Sequence, residues 1–199
     1  MNEIELTEWA LVPFDSKGPA YETKLNGSAE FTELDINSLI DLIIKEYHFK
    51  ARKDVVVIYE LAQKVFFRHN GKNPELSKLV ETLFLFFDDL LFHLKKEEQI
   101  LFPNILHLIE KKLHEGAFNY SAFGVIKEYA LTMQNEHQEV IKQFEFFRRL
   151  TNNYTLPGDA DKLYQTLFSK LKAFENEMMW HIKLENDFLF PKAIRMDEN

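Results

Sequence analysis

One motif occurs twice in this chain and limits what it can fold into. His93-Leu94-Lys95-Lys96-Glu97-Glu98-Gln99-Ile100-Leu101-Phe102-Pro103 returns as His181-Ile182-Lys183-Leu184-Glu185-Asn186-Asp187-Phe188-Leu189-Phe190-Pro191. His, Lys, Glu, Leu, Phe and Pro keep the same offsets. On an α-helix, residues i and i+4 lie one turn apart on one face. Each copy therefore aims one imidazole and one carboxylate at a common point. The repeat also extends upstream. His48, in Glu46-Tyr47-His48, precedes the first motif by 45 residues, and His137, in Glu136-His137, precedes the second by 44. Two similar halves result, each a helix with one His followed by a helix with His-x-x-x-Glu. Together they predict an all-α, up-down four-helix bundle. Its facing helices would bring His48, His93, Glu97, His137, His181 and Glu185 to one interior point, a ligand shell for two metal ions.

The donor set narrows the metal. The chain has no cysteine, so neither disulfides nor thiolate-held zinc or iron–sulfur sites can be built from it alone. Imidazole suits iron, zinc, copper and nickel, and two bridging carboxylates favour a pair of redox-active hard ions. The reading is a non-haem di-iron centre: two histidines per ion, Glu97 and Glu185 bridging, with room for an oxo or hydroxo bridge and a small ligand. A single zinc would not use both glutamates so symmetrically. Carboxylate-rich di-iron bundles use Glu-x-x-His, the reverse order. A lone helix histidine is ordinarily a core group. A duplicated six-residue set at matched spacing is a stronger cue than any of its members.

With 199 residues, 46% hydrophobic, the chain is long enough for one domain with a sizeable core. A net charge of −8 argues against nucleic acid and anionic membranes as partners. No apolar stretch is long enough to span a bilayer. The N-terminus carries Glu3 and Glu5 rather than a basic, apolar leader. A cytoplasmic protein is expected.

Residues 1–33, with Pro13, Gly18, Pro19 and Gly27, read as a short irregular N-terminal arm. Residues 34–199 read as the bundle. The first helix is expected to start at Asp35 or Asn37 and to run to Asn70-Gly71. The second begins at Asn73-Pro74-Glu75, is kinked or loosened by one turn at Pro103, and ends at Gly116. The third runs from about Ser121 to Thr151–Tyr154. The fourth follows the turn at Pro157-Gly158, with Asp159 as its cap. His69 would lie about 31 Å along the first helix from His48, too far to share the metal pair. It reads as a helix-terminus residue, favourable when protonated. His107 and His114, about 15 Å or more past Glu97, read as surface groups. Tyr47 and Tyr129 read as core residues that could also donate a hydrogen bond to a metal-bound ligand. Glu46, Glu98 and Glu136 read as solvated groups or as groups that orient a histidine N–H.

The order His48, His93-x-x-x-Glu97, His137, His181-x-x-x-Glu185 resembles a hemerythrin-like (HHE) domain. Lys96-Glu97-Glu98-Gln99-Ile100-Leu101-Phe102-Pro103, the second motif with Asn186, and Thr151-Asn152-Asn153 ahead of Pro157 are similar to the repair-of-iron-centres branch, the di-iron iron–sulfur cluster repair proteins. The likeness covers roughly residues 35–195. It implies a four-helix bundle, a di-iron centre on the six residues above, and reactivity with nitric oxide and oxygen. It also implies a stress role: repair of iron–sulfur clusters damaged by nitric oxide or oxidants, by iron donation. His69 aligns with a histidine of those proteins, which the resemblance marks as supporting the site or iron release. Members often carry an N-terminal Cys-Cys module, whereas this sequence has no cysteine. The ligand set alone also fits an oxygen or nitric oxide carrier or sensor, or a nitric oxide reductase.

Overall fold

A computed structural model describes residues 28–69, 74–115 and 125–198. Every regular element among them is helical: α1 (Ser28–Glu33), α2 (Ile36–Leu42), α3 (Phe49–His69), α4 (Pro74–Lys96), α5 (Phe102–Glu115), α6 (Val125–Leu150), α7 (Lys162–Leu184) and α8 (Phe190–Glu198). Three wider π turns, Ile43–His48, Glu97–Leu101 and Glu185–Leu189, join α2 to α3, α4 to α5 and α7 to α8. The described residues thus form four rods, with α6 alone as the third. α3 packs on α4 and α7, α4 on α6, and α6 on α7 and α8. This is the expected up-down bundle. Residues 1–27 of the expected arm, the Asn70-Gly71 stop, the Asn73 cap, Gly116 and the Ser121 start lie outside the described residues.

Two apolar clusters fill the bundle, one at each end. One gathers Val55 and Ile58 of α3, Leu83 and Phe87 of α4, Phe144 of α6 and Phe174 of α7. The other gathers Leu39 and Ile43 of the first rod, Phe102 and Ile105 of α5, Met133 of α6 and Phe190 of α8. Each buried Leu, Ile or Phe contributes roughly 1.5–3 kcal/mol. The order in which a rod meets the clusters alternates along the chain, as antiparallel neighbours require. His48, the 93–97 and 181–185 pairs, and His137 all fall at the level where the clusters meet.

Each π turn begins or ends at a site residue. Phe102 donates its N–H to the Glu97 carbonyl, Phe190 to Glu185 and Phe49 to Ile44, one residue beyond the ordinary helical partner. Pro103 and Pro191 explain two of the three. Proline has no N–H, and its ring collides with the carbonyl four residues back, so the turn ahead of it opens. The loosened turn expected at Pro103 is found. The first rod makes the same turn without proline, where Glu98 and Phe102 engage His48 from across the bundle. Such π turns recur at functional sites.

Local caps settle the remaining expectations. Asp35 caps α2, its Oδ1 accepting from the Ser38 N–H at 2.7 Å. The fourth rod is capped by Asp161, which accepts from the Tyr164 N–H at 2.9 Å, rather than by Asp159. The turn at Pro157-Gly158 extends to Ala160, whose N–H returns to the Pro157 carbonyl, so the helix starts two residues later than expected. α6 ends at Leu150, followed by Asn152, Asn153 and Tyr154 at φ 46°, 56° and 59°. Asn tolerates this left-handed region best among non-glycine residues.

Candidate metal centre

The six residues picked out by the repeat converge at the centre of the bundle. His48, Glu97, His181 and Glu185 are fully buried, and His93 and His137 nearly so. They form two groups of four that share both glutamates: His48, His181, Glu97, Glu185, and His93, His137, Glu97, Glu185. Each carboxylate divides its oxygens between the groups. Glu97 Oε1 lies 3.2 Å from His93 Nε2, and its Oε2 lies 3.4 Å from His48 Nε2. Glu185 Oε2 lies 3.1 Å from His137 Nε2, and its Oε1 lies 3.1 Å from His181 Nε2. Metal–ligand bonds of about 2.1 Å separate neighbouring ligand atoms by roughly 3 Å, so the spacing matches two adjacent ions.

The hydrogen-bond inventory supports the same use. His93 Nε2, His137 Nε2 and all four oxygens of Glu97 and Glu185 are buried without a hydrogen-bond partner among the described residues. A bare buried carboxylate is strongly unfavourable, and two facing each other are worse. A cation between them relieves both, and imidazole nitrogens with carboxylate oxygens suit iron. Electrostatics agree. Burial presses the imidazoles towards neutrality, but the nearby Glu97 carboxylate and the hydrogen bond to Glu98 raise His48 to about 9. The Glu185 and Glu97 carboxylates, 3.1 and 3.6 Å from its Nε2, raise His137 to about 10 against the same burial. Burial and the Glu97 charge push Glu185 up, yet His181 and His137 hold it below the usual carboxylate range. The site demands positive charge.

Outer side chains fix the rings. His48 Nδ1 donates to Glu98 at 2.7 Å, His93 Nδ1 to Glu136 at 2.8 Å and His137 Nδ1 to Asn186 at 2.9 Å. Each bond places the ring proton outside and leaves Nε2 facing inward. Glu98 also accepts from Arg52 at 2.9 Å, and Glu136 from Lys96. The hydrogen bond from His48, with help from Arg52, brings Glu98 down to about 2. Phe102 stacks on His48 and Phe190 on His137. Each copy of the motif therefore supplies two ligands, and its sixth and tenth residues seat the lone histidine of its own half. A cavity of about 590 Å³ between α4 and α6, lined by Phe92, Lys96, Glu136 and Gln143 among others, has His93 of the site in its wall.

Of the expected supporting groups, Glu98 and Glu136 orient histidines, while Glu46 stays half-exposed. Tyr47 stacks against His181 at 6.0 Å, and Tyr129 packs in the cluster with Met133. Asn186 was given no role on sequence grounds, although its equivalence to Glu98 in the repeat marks it. His69 lies at the far end of α3, as its spacing requires. It is buried, packed edge-on to Tyr164, with Nε2 3.6 Å from Asp161. His107 is exposed, and the His114 side chain lies outside those described.

A helical bundle whose buried histidines and glutamates can hold two neighbouring cations defines a class of metal-binding protein. Residues 39–193 match the model of the hemerythrin HHE cation binding domain, and the chain belongs to that family. The cofactor of an HHE domain is non-haem iron, in keeping with the donors assembled here. The chain is similar to the iron-sulfur cluster repair protein YtfE of Musicola paradisiaca (strain Ech703), 30% identical over 97% of this chain and 78% of that protein. It is also similar to YtfE of Yersinia pseudotuberculosis serotype IB, 32% identical over 88% of this chain and 74% of that one.

Proposed function

We propose that His48, His93, Glu97, His137, His181 and Glu185 hold two iron ions bridged by Glu97 and Glu185, and that the protein repairs iron–sulfur clusters damaged by nitric oxide or oxidants. The observation that carries this reading is the convergence of unpartnered, buried imidazole nitrogens and carboxylate oxygens. The likeness to repair proteins over most of the chain supplies the direction. When bound, the ions supply a redox-active, exchangeable iron source. The chain holds them without a thiolate, so a vacated cysteine site on a client can compete for iron. Glu98, Glu136 and Asn186 keep three imidazoles in the ligating tautomer, while Phe102 and Phe190 exclude water. Small gaseous ligands such as nitric oxide or oxygen reach the centre through the cavity at His93. Damaged iron–sulfur proteins are the clients. No helix among the described residues is long and apolar enough to cross a membrane, and we place this work in the cytoplasm. Residues 34–199 are the working unit.

The test uses protein loaded with iron-57 and a [4Fe–4S] enzyme inactivated by nitric oxide. Recovery of cluster absorbance, with the label found in the client, is expected for wild type and not for Glu97→Ala. Equal recovery with Glu97→Ala, or with free ferrous iron at the same concentration, contradicts the proposal.

A further inference from the structure

The internal repeat relates four outer positions in pairs. Glu98 and Asn186 each follow a bridging glutamate, and they hold the Nδ1 of His48 and of His137. Glu136 precedes His137 and holds the Nδ1 of His93. The equivalent position before His48 is Tyr47, facing His181. The His181 Nδ1 is buried and has no hydrogen-bond partner among the described residues. Three of the four slots thus carry an acceptor, and one does not.

The consequence is chemical. His181 presents Nε2 to the centre, 3.1 Å from Glu185 Oε1. A neutral imidazole that ligates through Nε2 must carry its proton on Nδ1. For His181 that N–H is buried without an acceptor, which is unfavourable. Stacking on Tyr47 orients the ring plane but takes no proton. The other three rings meet no such penalty. Net charge does not separate the two positions, because each has one carboxylate-backed histidine: His48 through Glu98 and His93 through Glu136. What separates them is the remaining ring: His137 has Asn186 at its Nδ1, whereas His181 has no acceptor there among the described residues. The cavity at His93 affects how fast an ion exchanges, not how tightly it is held at equilibrium.

Building on the two-ion reading above, we propose that the two positions are unequal: the ion between His93 and His137 is held more tightly than the ion between His48 and His181. The exchangeable iron is then the one at His48 and His181. Loss of an outer acceptor typically weakens a metal site by about 10–100-fold, so the preference is expected to be roughly tenfold or more.

Iron-loaded protein is equilibrated under anaerobic conditions with a chelator buffer that leaves one iron per chain, then crystallised. Anomalous scattering at the iron edge is compared at the two positions. The expected result is iron between His93 and His137 in about tenfold excess over the other position. Equal occupancy, or an excess at His48 and His181, overturns the proposal. Fully loaded crystals are measured alongside. If they lack iron at the six residues, the site reading falls as well; if both positions are filled, only the inequality is at stake. Asn186→Leu removes the acceptor of His137 and is expected to bring the ratio close to one. An unchanged ratio in that variant would show that the outer hydrogen bonds do not set the order.

Discussion

His69 and His93 are both buried and both have acidic neighbours, yet only one faces the centre. The Nδ1 of His93 is held by Glu136, and its Nε2 meets a carboxylate oxygen that has no other partner. His69 packs against Tyr164 beside the cap residue Asp161. His69→Ala is therefore expected to keep its iron and to lose stability of about 0.5–3 kcal/mol, read from urea denaturation. Loss of iron in that variant contradicts the assignment. Glu98 gives a pH-dependent test. Its folded-state pKa, about 2, lies below its ordinary 4.5, so its contribution is present above 4.5 and is lost as pH falls towards 2. Glu98→Gln is expected to flatten the acid limb of stability between those values, and an unchanged limb argues against the His48 and Arg52 contacts. All six candidate ligands were legible in the sequence, because a metal pair needs two donor types at helical spacing and the chain repeats them. Asn186 was less visible, because an amide that orients a ligand carries no charge signature of its own. The cap at Asp161 was missed because Asp159 and Asp161 are equally good caps, and only the backbone turn from Pro157 to Ala160 chooses between them.

At the level of elements, the widened turns set the angle at which each glutamate leaves its rod. Pro103→Ala restores an N–H and allows an ordinary helical turn. The expected outcome is unchanged helicity by circular dichroism with reduced iron retention; full retention would show that Pro103 is not needed for the turn. Pro103 made one of these turns readable from sequence, and Pro191 carries the same signal at the second. The turn at Ile43–His48 was not readable, since it has no proline and depends on contacts from another rod. The loop after α6 is held by a separate device. Buried Glu175 accepts from the Tyr154 hydroxyl at 2.7 Å and from Arg148. Glu175→Ala strands the tyrosine hydroxyl, half-buried, and is expected to cost about 1–3 kcal/mol with iron content unchanged. Coupled loss of iron would show that this end of the bundle communicates with the centre.

For the whole molecule, the centre divides one apolar cluster from the other, and charge balance there decides how the halves join. Four rods brought together by two carboxylates and four imidazoles gain stability from any ion that binds the folded state alone. An ion at a thousand times its dissociation constant contributes about 4 kcal/mol, which in a chain of this size raises Tm by roughly 8–16 °C. Protons compete for the same atoms. With His48 at about 9 and His137 at about 10 in the metal-free protein, both are protonated at neutral pH. Iron loading at pH 7 is then expected to release about two protons from these rings, and affinity to fall as pH drops. Whether these six side chains hold two irons is read from the iron content and near-ultraviolet spectrum of wild type, His93→Ala, Glu97→Ala and His107→Ala prepared side by side. About two iron per chain are expected in wild type and His107→Ala, and a large loss in the other two. Equal iron in all four, or a single zinc in the wild type, would contradict this assignment.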